Sequence, residues 1–216
     1  MDGYKRKIFI YNSVKPDKNR TWFMETYKKE KGVFFMGNLD GKIAVVTGSA
    51  QGIGYGSAKV LAQHGATVIL VDFAEAVKDT AEELKQMGLK ADWRRCDVSK
   101  LDEVQETVDD IIKQYGRIDI LHNNAGVNRR VRFEDLDVKT RDFIFGVNIY
   151  GVWNMTKAVD PYMMKEKYGR IIITSSVTGV KVVDEGQTTY AMTKGAVLSL
   201  AKALAYEAGP YGITVN

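Results

Sequence analysis

Thr47-Gly48-Ser49-Ala50-Gln51-Gly52-Ile53-Gly54 stands between a β-branched run, Lys42–Thr47 (KIAVVT), and a helical stretch from about Ile53 to His64. A strand, a glycine turn and a helix in that order open a βαβ unit. Glycines here permit a tight turn, close approach of backbone to a pyrophosphate and close packing of helix on sheet. The helix start supplies unpaired N–H donors for the anion.

Working outward, strands are expected at Thr67–Val71, Ala91–Arg95, Ile118–His122, Arg170–Ser175 and Ile213–Val215. Helices are expected at Glu75–Met87, Leu101–Tyr115 (closed by Gly116), Arg141–Lys167 with Pro161 inside, and Thr189–Ala208 before Gly209-Pro210. Ile171-Ile172-Ile173 lacks alternation, as a strand covered on both faces would. The fold class read from this alternation is α/β, a doubly wound parallel sheet.

The chain has 216 residues, 45% hydrophobic and 27% charged, with no apolar run long enough for a membrane helix. Its net charge of +4 is unevenly spread. Residues 1–35 carry nine Lys/Arg against four Asp/Glu, leaving 22 against 23 from Met36 onward. Without that leader no basic field remains to follow a phosphate backbone, so nucleic acid is not an expected partner. The single cysteine, Cys96, excludes an intrachain disulfide and a Cys-rich zinc site, and no secretory apolar segment opens the chain. A reducing, cytoplasmic setting is expected.

Asp72 ends the second strand about 20 residues beyond the glycine turn, where a dinucleotide fingerprint places its ribose-binding acid. A carboxylate there accepts hydrogen bonds from ribose hydroxyls and repels a 2′-phosphate. Neither Gln51 nor Phe73 supplies a compensating cation, so NAD is favoured over NADP. Farther on, Tyr190 and Lys194 in Tyr190-Ala191-Met192-Thr193-Lys194 share a helix face, after Ser175-Ser176 at the end of an apolar strand. An ammonium beside a phenol favours the phenolate and readies it for proton exchange with an alcohol or ketone.

These motifs, with Asp97-Val98, Asn123-Asn124-Ala125-Gly126, Asn148 in a long helix and Ser176 before Val-Thr-Gly, give a chain that resembles the short-chain dehydrogenase/reductases from about Asn38 to Asn216. The resemblance implies an NAD(P)-binding Rossmann domain. Gly48, Gly52 and Gly54, with Gln51 and Ile53 in the same turn, would hold the pyrophosphate. Asp97 and Val98 would border adenine, and Asn124 would shape the strand end beneath the cofactor. It further implies Ser176 on the substrate oxygen, with Ser175 as fallback, Tyr190 as acid/base and Lys194 on the nicotinamide ribose. Asn148 would anchor a water between Lys194 and solvent. The implied activity is NAD-dependent hydride transfer to or from a secondary alcohol or ketone, in a homodimer or homotetramer formed through the helices near 141–167 and 189–208.

Some residues are read structurally. His122 is expected to pack in the sheet, Cys96 to fill the core, and Arg129, Arg130 and Arg132 to lie on a solvated loop rather than bind an anionic substrate. Residues 1–38 are expected to be a basic extension and 39–216 the dinucleotide-binding domain. Lys31-Gly32-Val33 can be encoded with AAAGGAG, a ribosome-binding sequence, so the start is expected at Met36, with 1–35 untranslated. Similar proteins continue past the sixth strand through a substrate loop, further helices and a seventh strand. Ending at Asn216 is expected to expose a sheet edge, lower stability and leave an inactive NAD-binding regulatory module as the alternative function.

Overall fold

The computed structural model describes residues 38–216; the extension and a marginal strand read over Lys5–Val14 lie outside them. Six strands form one sheet: β1 (Ile43–Thr47), β2 (Thr67–Asp72), β3 (Ala91–Arg95), β4 (Ile120–Asn123), β5 (Gly169–Ile173) and β6 (Ile213–Val215). Its order is β3-β2-β1-β4-β5-β6 and every pairing is parallel. The helices are α1 (Gly52–Gln63), α2 (Val77–Gln86), α3 (Leu101–Tyr115), α4 (Val138–Phe145), α5 (Gly151–Glu166) and α6 (Thr188–Ala208).

Side-chain alternation divides the core between the two faces of the sheet. Val45, Ile69, Leu121 and Ile171 face one way, against Val104, Val108 and Ile111 of α3, Met155 and Met163 of α5, and Val197 of α6. Ala44, Val46, Val68, Leu70 and Ile120 face the other way, against α1 and α2. The buried positions of α1, Gly54, Ala58 and Ala62, recur every fourth residue, and their small size lets the helix lie close to β1. Val77, Ala81 and Leu84 give α2 its stripe. Gly116 ends α3 at φ 79, a left-handed conformation that glycine adopts without a Cβ clash.

The helix expected over Arg141–Lys167 differs in detail. It begins at Val138, because the Asp137 carboxylate accepts from Thr140 N at 2.6 Å and caps it. Between α4 and α5 the segment Gly146–Tyr150 winds as a π-helical turn, which places the buried Asn148. Such turns are rare and recur at functional sites. Pro161 lies within α5 without ending it. Among the described residues no helix is long and apolar enough to cross a membrane.

Because β1 pairs with both β2 and β4, the chain leaves β1 to one side and returns on the other. Loops after β1 and β4 therefore diverge and open a crevice at their carboxyl ends, where open α/β sheets take ligands.

Candidate active site

The crevice is a cleft of about 680 Å³ lined by Gly48, Gln51, Ile53, Asp72, Asp97, Val98, Asn124, Tyr190 and Lys194. These residues come from four separate strand ends, from the start of α1 and from α6, so the order of the strands and the helices packed on them gathers them. Gly52, Gly54, Asn148 and Ser176 are not in the wall itself.

At the glycine turn, Gly48 has φ +63, and a Cβ there would lie 2.7 Å from Ala125 Cα. A Cβ on Gly54 would lie 2.1 Å from Gly48 O, whereas one on Gly52, at φ +61, would meet open space. Two of the glycines are thus required by the protein's own packing, and the third leaves room above the turn. Gln51 is the N-cap residue of α1, yet its side chain makes no cap hydrogen bond, so the first-turn amides keep their donors.

Thr47, at the end of β1 and almost wholly buried, ties the turn to β4. Its Oγ1 accepts from Asn124 N and Ala125 N, both at 3.0 Å. Asn124 Nδ2 returns two bonds, to Thr47 O at 3.0 Å and Gly48 O at 3.1 Å. Asp72 holds each carboxylate oxygen on one backbone amide: Oδ2 accepts from Ala50 N and Oδ1 from Ala74 N, both at 2.9 Å. Asp97 Oδ1 accepts from Ser99 N and Oγ, and Val98 O accepts from Asn154 Nδ2.

At the other end of the cleft, Lys194 Nζ lies 5.7 Å from the Tyr190 ring centroid and donates to Thr174 O at 2.7 Å. Lys194 is only 3% exposed, and burial pushes its ammonium below the usual lysine range. Asn148 grips the backbone of Val127: Oδ1 accepts from Val127 N at 2.7 Å, and Nδ2 donates to Val127 O at 2.9 Å. Nδ2 also reaches Thr193 Oγ1 at 3.1 Å, which in turn donates to Tyr190 O at 2.8 Å. Gly126 keeps the space between Lys194 and Asn148 open, since its absent Cβ would lie 3.4 Å from Lys194 Nζ and 3.5 Å from Asn148 Oδ1.

The two serines have separate tasks. Ser175 Oγ donates to Lys194 O at 2.8 Å, which commits its proton to α6. Ser176 Oγ accepts from Thr178 N at 3.1 Å, so its own proton has no acceptor among the described residues. His122 Nε2 meets Thr174 Oγ1 at 2.9 Å, and burial pushes its imidazole below the usual histidine range, in keeping with a structural role. Cys96 is buried in the core, and burial is the main cause that pushes its thiol up. The arginine loop is solvated, as expected, with Arg129, Arg130 and Arg132 exposed; on that surface Arg130 pairs with Asp184 at 3.2 Å and Arg132 with Glu185, joining two loops beside the cleft.

Thr47, Thr174, Thr193 and Arg95 were not singled out by sequence. Thr47 and Thr193 lie inside the quoted motifs but act there through single oxygens to which no spacing assigns a role, Thr174 lies outside them, and Arg95 enters the picture only because β3 lies beside β2. The described groups suit a nicotinamide dinucleotide: free amides at the start of α1, open space above Gly52, a fixed acceptor carboxylate at Asp72 and a buried ammonium at Lys194.

Comparison with known proteins agrees with this reading. The model of the family described as short chain dehydrogenase matches residues 42–216. An oxidoreductase, UcpA of Salmonella typhimurium, is 48% identical over 181 residues, covering 84% of this chain and 69% of that protein. Among solved structures, NAD+-bound xylitol dehydrogenase matches with a TM-score of 0.79 at 32% identity, covering 83% of this chain and 69% of the other. A gluconate 5-dehydrogenase from Burkholderia cenocepacia, in complex with NADP and tartrate, matches with a TM-score of 0.79 at 35% identity, covering 82% and 70%. A match that runs from the start of β1 through β6, on a sheet whose order and glycine turn agree with it, leaves one assignment: this chain belongs to the short-chain dehydrogenase family, oxidoreductases that act on alcohol or carbonyl groups with a nicotinamide dinucleotide.

Proposed function

We propose that the protein is an NAD-dependent dehydrogenase of a secondary alcohol, or the reductase of the matching ketone, with Tyr190 as its acid/base. The observation that carries this reading is Lys194, 3% exposed, its ammonium 5.7 Å from the Tyr190 ring and anchored on one carbonyl. A buried cation in that position stabilises negative charge on the phenol oxygen as Tyr190 takes or returns the proton of the substrate hydroxyl. Ser176, whose hydroxyl proton is unspent within the described residues, donates to the substrate oxygen and holds it near Tyr190. Asn148 fixes Val127 and, through Thr193, the first turn of α6 that carries Tyr190. Gly126 leaves space between Asn148 and Lys194 for the water through which Lys194 exchanges protons with solvent.

The dinucleotide, when bound, accepts or supplies the hydride. Gly48, Gly52 and Gly54, with Gln51 and Ile53, place the amides that hold its pyrophosphate, and Asp97 and Val98 border the adenine. Asp72 supports NAD over NADP, because it lines the cleft with both carboxylate oxygens fixed on backbone amides, where a 2′-phosphate would be repelled. The single cysteine, buried and unpaired, suits a reducing cytoplasm. Exposed Tyr150 and Trp153, with Met192 on α6, support a homodimer or homotetramer built on these helices.

Tyr190→Phe tests the mechanism. NAD binding, read by calorimetry, is expected to persist while turnover of any responsive polyol, aldonate or hydroxyacyl substrate falls about 10²–10⁴-fold. An unchanged rate would overturn the role of Tyr190. Binding of NAD with no turnover across the panel would replace the enzyme by a binding module.

A further inference from the structure

Asp72 and Arg95 are partners in the parallel register of β2 and β3, so an arginine stands at the neighbouring strand end to Asp72, the carboxylate read as the ribose-binding acid. Arg95 Nε donates to Phe73 O at 3.1 Å and lies 3.1 Å from Glu75 Oε1. Its Cζ lies 5.5 Å from the centroid of the Phe73 ring, and Phe73, like Asp72, lines the cleft. Strand register, main chain and ring therefore hold the guanidinium at the rim. Nη1 and Nη2 make no hydrogen bond within the described residues, and they are the paired donors that best match a phosphate. Lys100 and Glu103, also within electrostatic reach of Arg95, pair with each other at 2.9 Å and largely cancel.

Two opposing charges thus meet at one subsite. Asp72 cannot turn away, because both its oxygens are held by backbone amides. Glu75, with its side chain 77% exposed, is held only by Arg95 among the described residues. We infer that Arg95 and Glu75 set the cofactor preference: Glu75 neutralises a guanidinium that would otherwise receive the 2′-phosphate of NADP. The inference rests on the reading that the cleft binds a nicotinamide dinucleotide. It adds a selectivity element that neither Asp72 nor the glycine turn contains. It also makes discrimination against NADP the product of two carboxylates, one fixed and one removable.

The test uses the full chain and two probes, 5′-AMP and 2′,5′-ADP, titrated by calorimetry into wild type, Glu75→Gln, Arg95→Ala and the double variant. Glu75→Gln is expected to tighten 2′,5′-ADP about three- to tenfold, as a freed but solvent-exposed charged hydrogen bond would. Its affinity for 5′-AMP should stay within about twofold, since that probe carries no 2′-phosphate. The gain should vanish in Glu75→Gln/Arg95→Ala and shrink with added salt. An unchanged preference in Glu75→Gln, or a gain that survives loss of Arg95, overturns the inference while 5′-AMP binding keeps the dinucleotide reading. Failure of wild type to bind either probe defeats that reading and this inference together. Both side chains are largely exposed, so the variants should fold as wild type does.

Discussion

Replacing Thr47 by valine keeps the shape of the side chain and removes one oxygen, so it isolates the clamp between β1 and β4. That oxygen accepts from Asn124 N and Ala125 N at 3.0 Å each, and its contact to His122 O, at 3.4 Å, is too long to count for much. Each amide left without an acceptor costs about 1–3 kcal/mol. Asn124 and Ala125 are half-buried, so water recovers part of that loss and the lower end of the range applies. The expected loss is therefore about 2 kcal/mol, or roughly 4–8 °C in Tm for a domain of this size. No cavity forms, so no packing loss is added. Urea denaturation gives the free energy, and calorimetry with NAD gives the effect on the cleft, which should weaken as Gly48 and Asn124 lose their shared anchor. Thr47→Ser, which keeps the oxygen, should recover most of the stability. A Thr47→Val protein within about 0.5 kcal/mol of wild type, or a serine variant as damaged as the valine one, would refute the reasoning.

Glycine substitutions in one helix should part company. Gly54→Ala puts a Cβ 2.1 Å from Gly48 O, and dinucleotide affinity should fall more than about tenfold, whereas Gly56→Ala meets nothing within 4 Å and should stabilise α1 by about 0.5–1 kcal/mol. The Asp119 carboxylate, fully buried, accepts from Ile43 N at 2.9 Å and Arg117 Nε at 3.0 Å at the end of the strands away from the cleft. Asp119→Asn should cost about 1–3 kcal/mol in denaturation, discounted for the partly exposed arginine, with NAD affinity unchanged in a parallel titration. Burial holds folded His122 neutral below the ordinary histidine range, so the unfolded chain binds the extra proton as pH falls through about 6.5. Stability is lost on that descent, and denaturation midpoints measured across it should fall less steeply in His122→Gln; parallel slopes would contradict the assignment.

The order of elements was legible because each is written in short-range pattern. β-Branched runs between helical stripes require a parallel sheet with covered faces, and Asp72 and the glycine turn stand at fixed offsets from it. Boundaries slipped where a local cap intervened: Asp137 starts α4 three residues before the expected Arg141. The π-turn at Gly146–Tyr150 left no periodic trace, because it interrupts a helix by a single extra residue.

By itself the sequence determined the strand–turn–helix unit, the glycines of the turn and the Tyr190–Lys194 pair. A helix places residues four apart on one face whatever surrounds it. Tertiary structure alone decided which serine keeps a free proton, since Ser175 is spent on the carbonyl of Lys194 from another element. It decided that Asn148 holds Val127 and Thr193, and that Arg130 and Arg132 are paired across two loops. It also set Arg95 level with Asp72 in the register of β2 and β3, a neighbour that lies 23 residues away along the chain. The physical reason is common to all four. These contacts depend on which strands become neighbours and in what register, and that is settled by the burial of the whole sheet rather than by the period of any one segment.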